Sequence, residues 1–267
     1  MRVSSFLPAV AVALAFGVAT PASGAGAGVA DSTAMVVLQA MHDRYDGRWP
    51  RNVTFVQTST FHEPDGKTRQ ETWYEATAPG VLRIDIAPVD SGNGIVFRND
   101  SIYQFKRDSL VAAVAQMHPL MVLSRDVYEI PVERTAEKLR ALGFDLGKLR
   151  EDMWQGRPVY VIGAVAGDEK SAQFWIEKEN LLFVRLLQPS KKDAAVMEEI
   201  RFNKYRPLGA GWIETEVDFL VNGKRVFFEE YRDIRRDVEF APELFDPRRW
   251  GRPAWVEEAG ASGEQGS

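Results

Sequence analysis

The chain has 267 residues, of which 45% are hydrophobic and 27% are charged, so it is long and apolar enough to bury a large core. Its formal net charge of -5 leaves no broad basic surface, which argues against nucleic acid as a partner. The sequence contains no cysteine, which excludes disulfides, a thiol nucleophile, cysteine-bound metal and a lipid anchor on cysteine.

The first residues have the pattern of a secretory signal peptide. Arg2 precedes an apolar run over 6–19, and small residues follow over 22–27. The alternative is a membrane anchor, but the run is shorter than the ~20 residues that span a bilayer. We therefore expect residues 1–27 to be a signal peptide and the mature protein to be exported and soluble.

An amphipathic helix and a first block of strands are predicted next. Apolar residues recur at helical spacing from Ala34 to Tyr45, and Gly47 ends the pattern. Short apolar stretches separated by Gly, Pro, Asn and Asp turns then predict strands at 53–61, 68–77, 81–87, 94–98 and 101–106.

The middle of the chain is predicted to be helical. The span 109–123 carries no charged residue, and Pro119 divides it into two short helical pieces. A further amphipathic helix is expected from Pro131 to Leu142, with Gly143 at its C-terminal cap. These helices would separate two blocks of strands.

The second strand block is predicted to end in a hairpin. Strands are expected at 158–166, 171–178, 182–187 and 196–205, which brings the total to about eleven with the hairpin. The hairpin covers 212–234, and its turn, Asn222-Gly223, favours the positive φ angles of type I′.

One face of this hairpin is expected to be buried and the other solvated. Val217 and Phe219 alternate with Glu214, Glu216 and Asp218, which is the pattern of a strand with one wet face. A sheet of this kind is antiparallel as a rule, so its apolar face needs a cover. After the last strand, residues 254–267 are expected to form a disordered tail.

No residue pattern indicates catalysis or a metal site. His42, His62 and His118 lie on three different predicted elements, and Pro64 would break the helix of a zinc-protease motif. No G-x-S-x-G elbow, P-loop or dinucleotide fingerprint occurs. What remains is an 11% aromatic content, which forms either an ordinary core or the wall of an apolar cavity.

Several stretches, in order, resemble the LolA/LolB-like family of outer-membrane lipoprotein-sorting proteins. They are MWQGRPVYVI at 153–162 and FWIEKENLLFVRL at 174–186, with a strand pair at 95–105. The segments 231–234 and 244–247 resemble the C-terminal end of the family. The resemblance covers about 32–250, nearly the whole mature chain.

The resemblance implies a mainly β fold with a few helices, over a LolA-like domain at 28–253. It would be a curved, incomplete antiparallel β-barrel of about eleven strands, with a helical lid over a hydrophobic cavity. The cavity lining it implies is Leu82, Ile84, Ile86, Phe97, Tyr103 and Phe105. The lid residues it implies are Leu110, Val114, Met117, Leu120, Met121 and Leu123. Where LolA has an arginine that ties the closed lid, this chain has Ala78 before Pro79, so that lock is not expected.

The resemblance implies a monomeric periplasmic carrier that binds lipid or the acyl chains of lipoproteins, without a cofactor or covalent chemistry. The alternative is a sensor or assembly module of the same fold that acts through a protein partner, such as an envelope membrane protein. A large apolar patch away from the cavity mouth would favour that alternative. An enzyme is a third hypothesis, and carboxylates clustered with histidine in the cavity would favour it.

Overall fold

The computed structural model describes residues 30–253 and Val256. The predicted signal peptide, and the predicted tail apart from Val256, lie outside the described residues. Within the described part, no helix combines the length and apolar character needed to cross a membrane.

Most of the described chain consists of strands that pair antiparallel with their neighbours. In chain order they are β1 (Val53–His62), β2 (Thr68–Ala78), β3 (Val81–Ile86), β4 (Gly94–Arg98), β5 (Ser101–Lys106), β6 (Ser109–Ala115), β7 (Leu149–Trp154), β8 (Arg157–Ile162), β9 (Gln173–Glu177), β10 (Leu182–Pro189), β11 (Met197–Asn203), β12 (Arg206–Leu208), β13 (Gly211–Ile213), β14 (Glu216–Val221) and β15 (Lys224–Arg236).

Thirteen of these strands form one sheet in the order β6-β5-β4-β3-β2-β1-β15-β14-β11-β10-β9-β8-β7. The sheet is not closed, because the edge strands β6 and β7 do not pair with each other. The predicted curved, incomplete antiparallel barrel is therefore confirmed. Its predicted strands are present, and the sheet has two more, β6 and β7, while β12 and β13 form a separate two-stranded ribbon.

The helices cover one face of the sheet. They are α1 (Ala30–Tyr45), α2 (Pro119–Met121), a π-helical turn (Val122–Asp126), α3 (Val127–Glu129) and α4 (Val132–Ala141). We call the continuous segment 119–129 the lid segment. The face that these helices cover is the inner face, and the largest hydrophobic cluster fills the space between them and the sheet.

Helix α1 anchors the helical layer by the predicted apolar stripe. Ala34, Leu38 and Met41 have no exposed surface and pack in the main core. At the end of the helix, the Tyr45 hydroxyl donates a 2.7 Å hydrogen bond to the carbonyl oxygen of Asn180. The helix is therefore fixed both by apolar burial and by a polar contact to the strand layer.

The hairpin of β14 and β15 confirms part of the predicted pattern. Asn222 and Gly223 have φ angles of 47° and 75°, which is the type I′ geometry, and Val217 and Phe219 are buried. The prediction of a wet opposite face is wrong at Asp218, which is buried and accepts a hydrogen bond from Asn203 at 3.1 Å. The outer face of the sheet therefore carries buried polar groups.

The prediction of a helix over 109–115 is also wrong. This stretch is strand β6 at the edge of the sheet, where Leu110 is 52% exposed and Val114 is 45% exposed. The tight turn before it requires positive φ, and Arg107 and Asp108 adopt φ angles of 52° and 61°. Pairing with β5 overrides the helical preference of an alanine-rich stretch.

The C-terminal segment, residues 240–251, covers the outer face of β2 to β5. Arg83 and Asp85 are only 2% and 3% exposed there, and their side chains form an ion pair at 2.8 Å. The Arg83 guanidinium also lies 4.1 Å from the centre of the Trp250 ring and donates to the Leu244 carbonyl at 3.0 Å. This segment thus closes the back of the strands whose inner face forms the site described next.

Candidate functional site

A cavity lies between the inner face of the sheet and the lid segment. Its apolar wall comes from aromatic and aliphatic side chains of seven strands, namely Phe55, Phe61, Trp73, Leu82, Ile84, Ile95, Phe97, Phe202, Phe219 and Phe227. The rings of Phe61 and Phe227 are 4.7 Å apart, and that of Phe219 lies 5.2 Å from Phe227. The cavity volume is about 120 Å³, which is room for several water molecules or a short alkyl segment.

The lid segment is fixed at one end and covers the cavity with the other. At its C-terminal end the Tyr128 ring stacks on Trp49 at 3.9 Å, and its hydroxyl accepts a 3.1 Å hydrogen bond from the Phe183 amide. At its N-terminal end Leu120, Met121 and other residues face the cavity, and both of these side chains are only half-buried. The side chains that cover the cavity at the N-terminal end are therefore more exposed to water than Tyr128 at the other end.

The lid segment begins at a histidine cap and contains a π-helical turn. The Nδ1 atom of His118 accepts a 3.3 Å hydrogen bond from the amide of Leu120, and its ring lies 5.3 Å from the ring of Phe97. A single π turn inside a short helix is a common feature of functional sites. His118 therefore joins the lid to the cavity wall.

One part of the cavity is polar. Carboxyl groups reach it from Glu75 on β2, Glu229 on β15 and Glu214 in the link between β13 and β14. The Tyr231 hydroxyl donates a 2.6 Å hydrogen bond to Glu229. From the lid, Arg125 lines the same cavity while its Nη1 donates to the Pro50 carbonyl at 3.2 Å.

These carboxyl groups retain protons more strongly than carboxyls in water. Burial raises the pKa of Glu229 to about 8 and the pKa of Glu214 to about 7. Burial also raises the pKa of Glu75 well above its usual value, and repulsion by Glu229 and Glu214 adds to that effect. The groups therefore lie close enough to influence one another, and part of the cluster is neutral near pH 7.

The architecture matches solved structures. A DUF1329 family protein from Desulfovibrio piger superposes with a TM-score of 0.57 at 13% identity, over 84% of this chain and 100% of that one. A putative outer membrane lipoprotein-sorting protein domain from Vibrio parahaemolyticus superposes with a TM-score of 0.52 at 11% identity, over 82% of this chain and 98% of that one. A LolA superfamily protein from Nitrosomonas europaea superposes with a TM-score of 0.50 at 11% identity, over 78% of this chain and 96% of that one. The chain has a LolA-like fold. No family model and no curated protein sequence matches it.

Some predicted site residues of this LolA-like fold do surround the cavity. The strand residues Leu82, Ile84 and Phe97 and the lid residues Leu120 and Met121 line it. They come together because β3 and β4 are neighbours and the lid segment crosses their inner face. Their role in binding a ligand remains a proposal.

Other predicted residues are placed elsewhere in the LolA-like fold. Ile86 and Met117 pack against the core without lining the cavity, and Leu123, within the lid segment, is fully buried in the main core. Tyr103 pairs with Val96 on the outer face, where Phe105 stacks on Trp250 at 4.2 Å, so neither lines the cavity. Leu110 and Val114 belong to edge strand β6 and are not lid residues.

The buried carboxyl groups were missed by the sequence analysis. Glu214 was assigned to a wet face, although it lines the cavity. The period-two pattern did contain a signal, because Glu75 is in phase with the buried Trp73, and Glu229 is in phase with the buried Phe227. An acidic residue in phase with core residues on a strand indicates a polar group that faces inward.

Proposed function

We propose that this protein is a periplasmic carrier that binds lipid or lipoprotein acyl chains in the cavity, without changing them covalently. The observation that supports the proposal is the cavity itself, where half-buried Leu120 and Met121 of the lid segment lie over an aromatic and aliphatic wall on the inner face of a LolA-like sheet. The predicted signal peptide supports export to the periplasm. Both parts fit transport of a hydrophobic molecule through water.

Burial of an alkyl chain would supply the binding energy. Each CH₂ group transferred from water contributes about 0.8 kcal/mol before the costs of ordering the chain are subtracted. The cavity of about 120 Å³ holds only a short part of a long chain, so the ligand requires outward movement of the lid. Leu120 and Met121 are the side chains that would move first, because they are half-buried and lie directly over the cavity.

Native mass spectrometry of the purified protein tests the proposal. The protein is expected to carry added mass from unaltered lipid, to lose it on hydrophobic resin, and to take up lipid again from vesicles. Ile84→Asp and the milder lid variant Met121→Glu are expected to reduce this uptake at least ~10-fold, because each places a charge against the alkyl chain. Val165→Asp is the matched control, since Val165 is 55% exposed and does not line the cavity.

Two results would contradict the carrier proposal. A folded, delipidated protein that takes up no long-chain amphiphile would mean that the lid segment is ordinary core. Hydrolysed lipid in the bound fraction would instead support the enzyme hypothesis, for which His118 and the carboxyl groups of the cavity are the candidate groups.

Strand β6 favours a second candidate function, an envelope sensor or assembly module. Leu110 and Val111 are 52% and 58% exposed on an edge strand of the sheet, and 109–115 has no charge. Exposed apolar edges pair readily with another chain unless charge or proline protects them. A partner that binds only the lipid-loaded protein through this edge would favour the sensor over the carrier.

A further inference from the structure

We propose that the polar part of the cavity binds the ammonium headgroup of a long-chain amine while the aromatic part holds its chain. This inference rests on the proposed carrier function and names the chemical class of its ligand. The amphiphile would be recognised at both ends, by apolar burial along the chain and by charge-assisted hydrogen bonds at the nitrogen.

Three carboxyl groups converge because their strands are adjacent in the sheet. β1 lies between β2, which carries Glu75, and β15, which carries Glu229. Glu75 is paired with Phe55 of β1, and Glu229 is paired with Ser59, which lies four residues further along the same strand. Glu214 reaches the same cavity from the link before β14, which pairs with β15. The carboxyls thus approach one small volume from separate elements.

The buried side-chain amide of Gln57 lies beside these carboxyl groups, and its oxygen lacks, among the described residues, a hydrogen-bond donor that a ligand could supply. Gln57 lines the cavity, is 1% exposed, and uses its Nε2 to donate a 2.8 Å hydrogen bond to the hydroxyl of Ser59. Its Oε1 has no hydrogen-bond partner within the part of the chain that the structure describes. An unpaired buried acceptor costs free energy, and an ammonium group has three donors to offer.

The charges around the cavity also favour a cation. Among its lining residues, the ionisable groups are Glu75, Glu214, Glu229 and Tyr231, with Arg125 from the lid segment and His118, which caps that segment. When all carboxyls are ionised and histidine and tyrosine are neutral, Arg125 balances one of the three negative charges. Two negative charges then remain to be balanced by protons or by a bound cation.

Protons and the amine would compete for the same carboxyl groups. Without a cation, burial keeps protons on part of the cluster, as the raised pKa of Glu229, about 8, indicates. An ammonium group favours the ionised carboxylates, so its binding is expected to release about one proton at neutral pH. Binding of a neutral alcohol would release none.

The test compares three probes of equal chain length, decylamine, decanol and decanoate, by titration calorimetry with the full mature protein after delipidation. Decylamine is expected to bind at least ~10-fold more tightly than decanol and to release a proton, measured from the dependence of heat on the buffer. Glu229→Gln and Glu75→Gln are expected to remove most of this preference while decanol binding stays within ~3-fold. Glu230→Gln, on the exposed face one residue away, should change neither the preference for decylamine nor the binding of decanol.

Each other outcome overturns a distinct part of the inference. Decanol binding with no preference for decylamine, or a preference for decanoate, would overturn the amine assignment and leave the carrier function intact. Loss of decanol binding together with decylamine binding in Glu229→Gln, with the fold retained by circular dichroism, would mean that the carboxyl acts on the cavity as a whole. Failure of the parent protein to bind any probe would overturn the carrier function as well.

Discussion

Replacing Val217 with aspartate is expected to destabilise the protein by about 4 kcal/mol or more. Val217 has no exposed surface, belongs to the main core and is paired with Glu229 across the hairpin. The new carboxyl would have to enter this core beside the buried carboxyl of Glu229, and the two could not both ionise without repelling each other. For a domain of this size the melting temperature should fall by on the order of 10 °C.

The matched control is Val111→Asp, the same change in a strand at an exposed position. Val111 is 58% exposed on edge strand β6, so its replacement should cost less than ~1 kcal/mol. Melting curves followed by circular dichroism give both values. Equal melting temperatures of the two variants would contradict the inward orientation of Val217.

Stability is expected to decrease as the pH rises from 6 to 9. In the folded state burial raises the pKa of Glu229 to about 8 and that of Glu214 to about 7, whereas both ionise near 4.5 when the chain is unfolded. The folded protein thus holds protons that the unfolded chain has lost, and it loses this advantage as the pH passes through 7 and 8. The free energy of unfolding should fall by at least ~2 kcal/mol over this interval, or ~5 °C in melting temperature.

Glu229→Gln isolates the contribution of this carboxyl. The amide keeps the size of the side chain but cannot ionise, so the variant should show a shallower pH dependence and a higher melting temperature than the parent at pH 9. Glu230→Gln, on the exposed face, should keep the parental slope. A parental slope in Glu229→Gln, or stability that rises with pH, would mean that the inner carboxyls are solvated.

The strand architecture was predictable because its local signals agree. Asn222-Gly223 specifies a tight turn, and the alternation around Val217 and Phe219 assigns the buried face. The alternation of Leu82 and Ile84 with Arg83 and Asp85 likewise indicates which face of β3 points inward. These features depend on neighbours in sequence, which a pattern can report.

The errors concern features that depend on contacts distant in sequence. Strand β6 is alanine-rich and looks helical, and only its pairing with β5 makes it a strand. Phe105 was predicted to line the cavity, but Trp250, far along the chain, stacks on it at the outer face of the sheet. The charged pair Arg83 and Asp85 is buried because the C-terminal segment folds over it. No local sequence pattern predicts that a distant segment will bury these side chains.

Fluorescence quenching by a brominated chain tests most directly whether an alkyl chain occupies the cavity. Trp73 is the one tryptophan among the described residues that line it, whereas Trp154 packs near Trp175 on the other face of the sheet. Bromoundecanol should quench the share of the emission that comes from Trp73 in both the parent and Trp154→Phe, because bromine must nearly touch an indole to act. Quenching should be largely lost in Trp73→Phe. Equal quenching in the two variants, or none in the folded and delipidated parent, would contradict binding in the cavity.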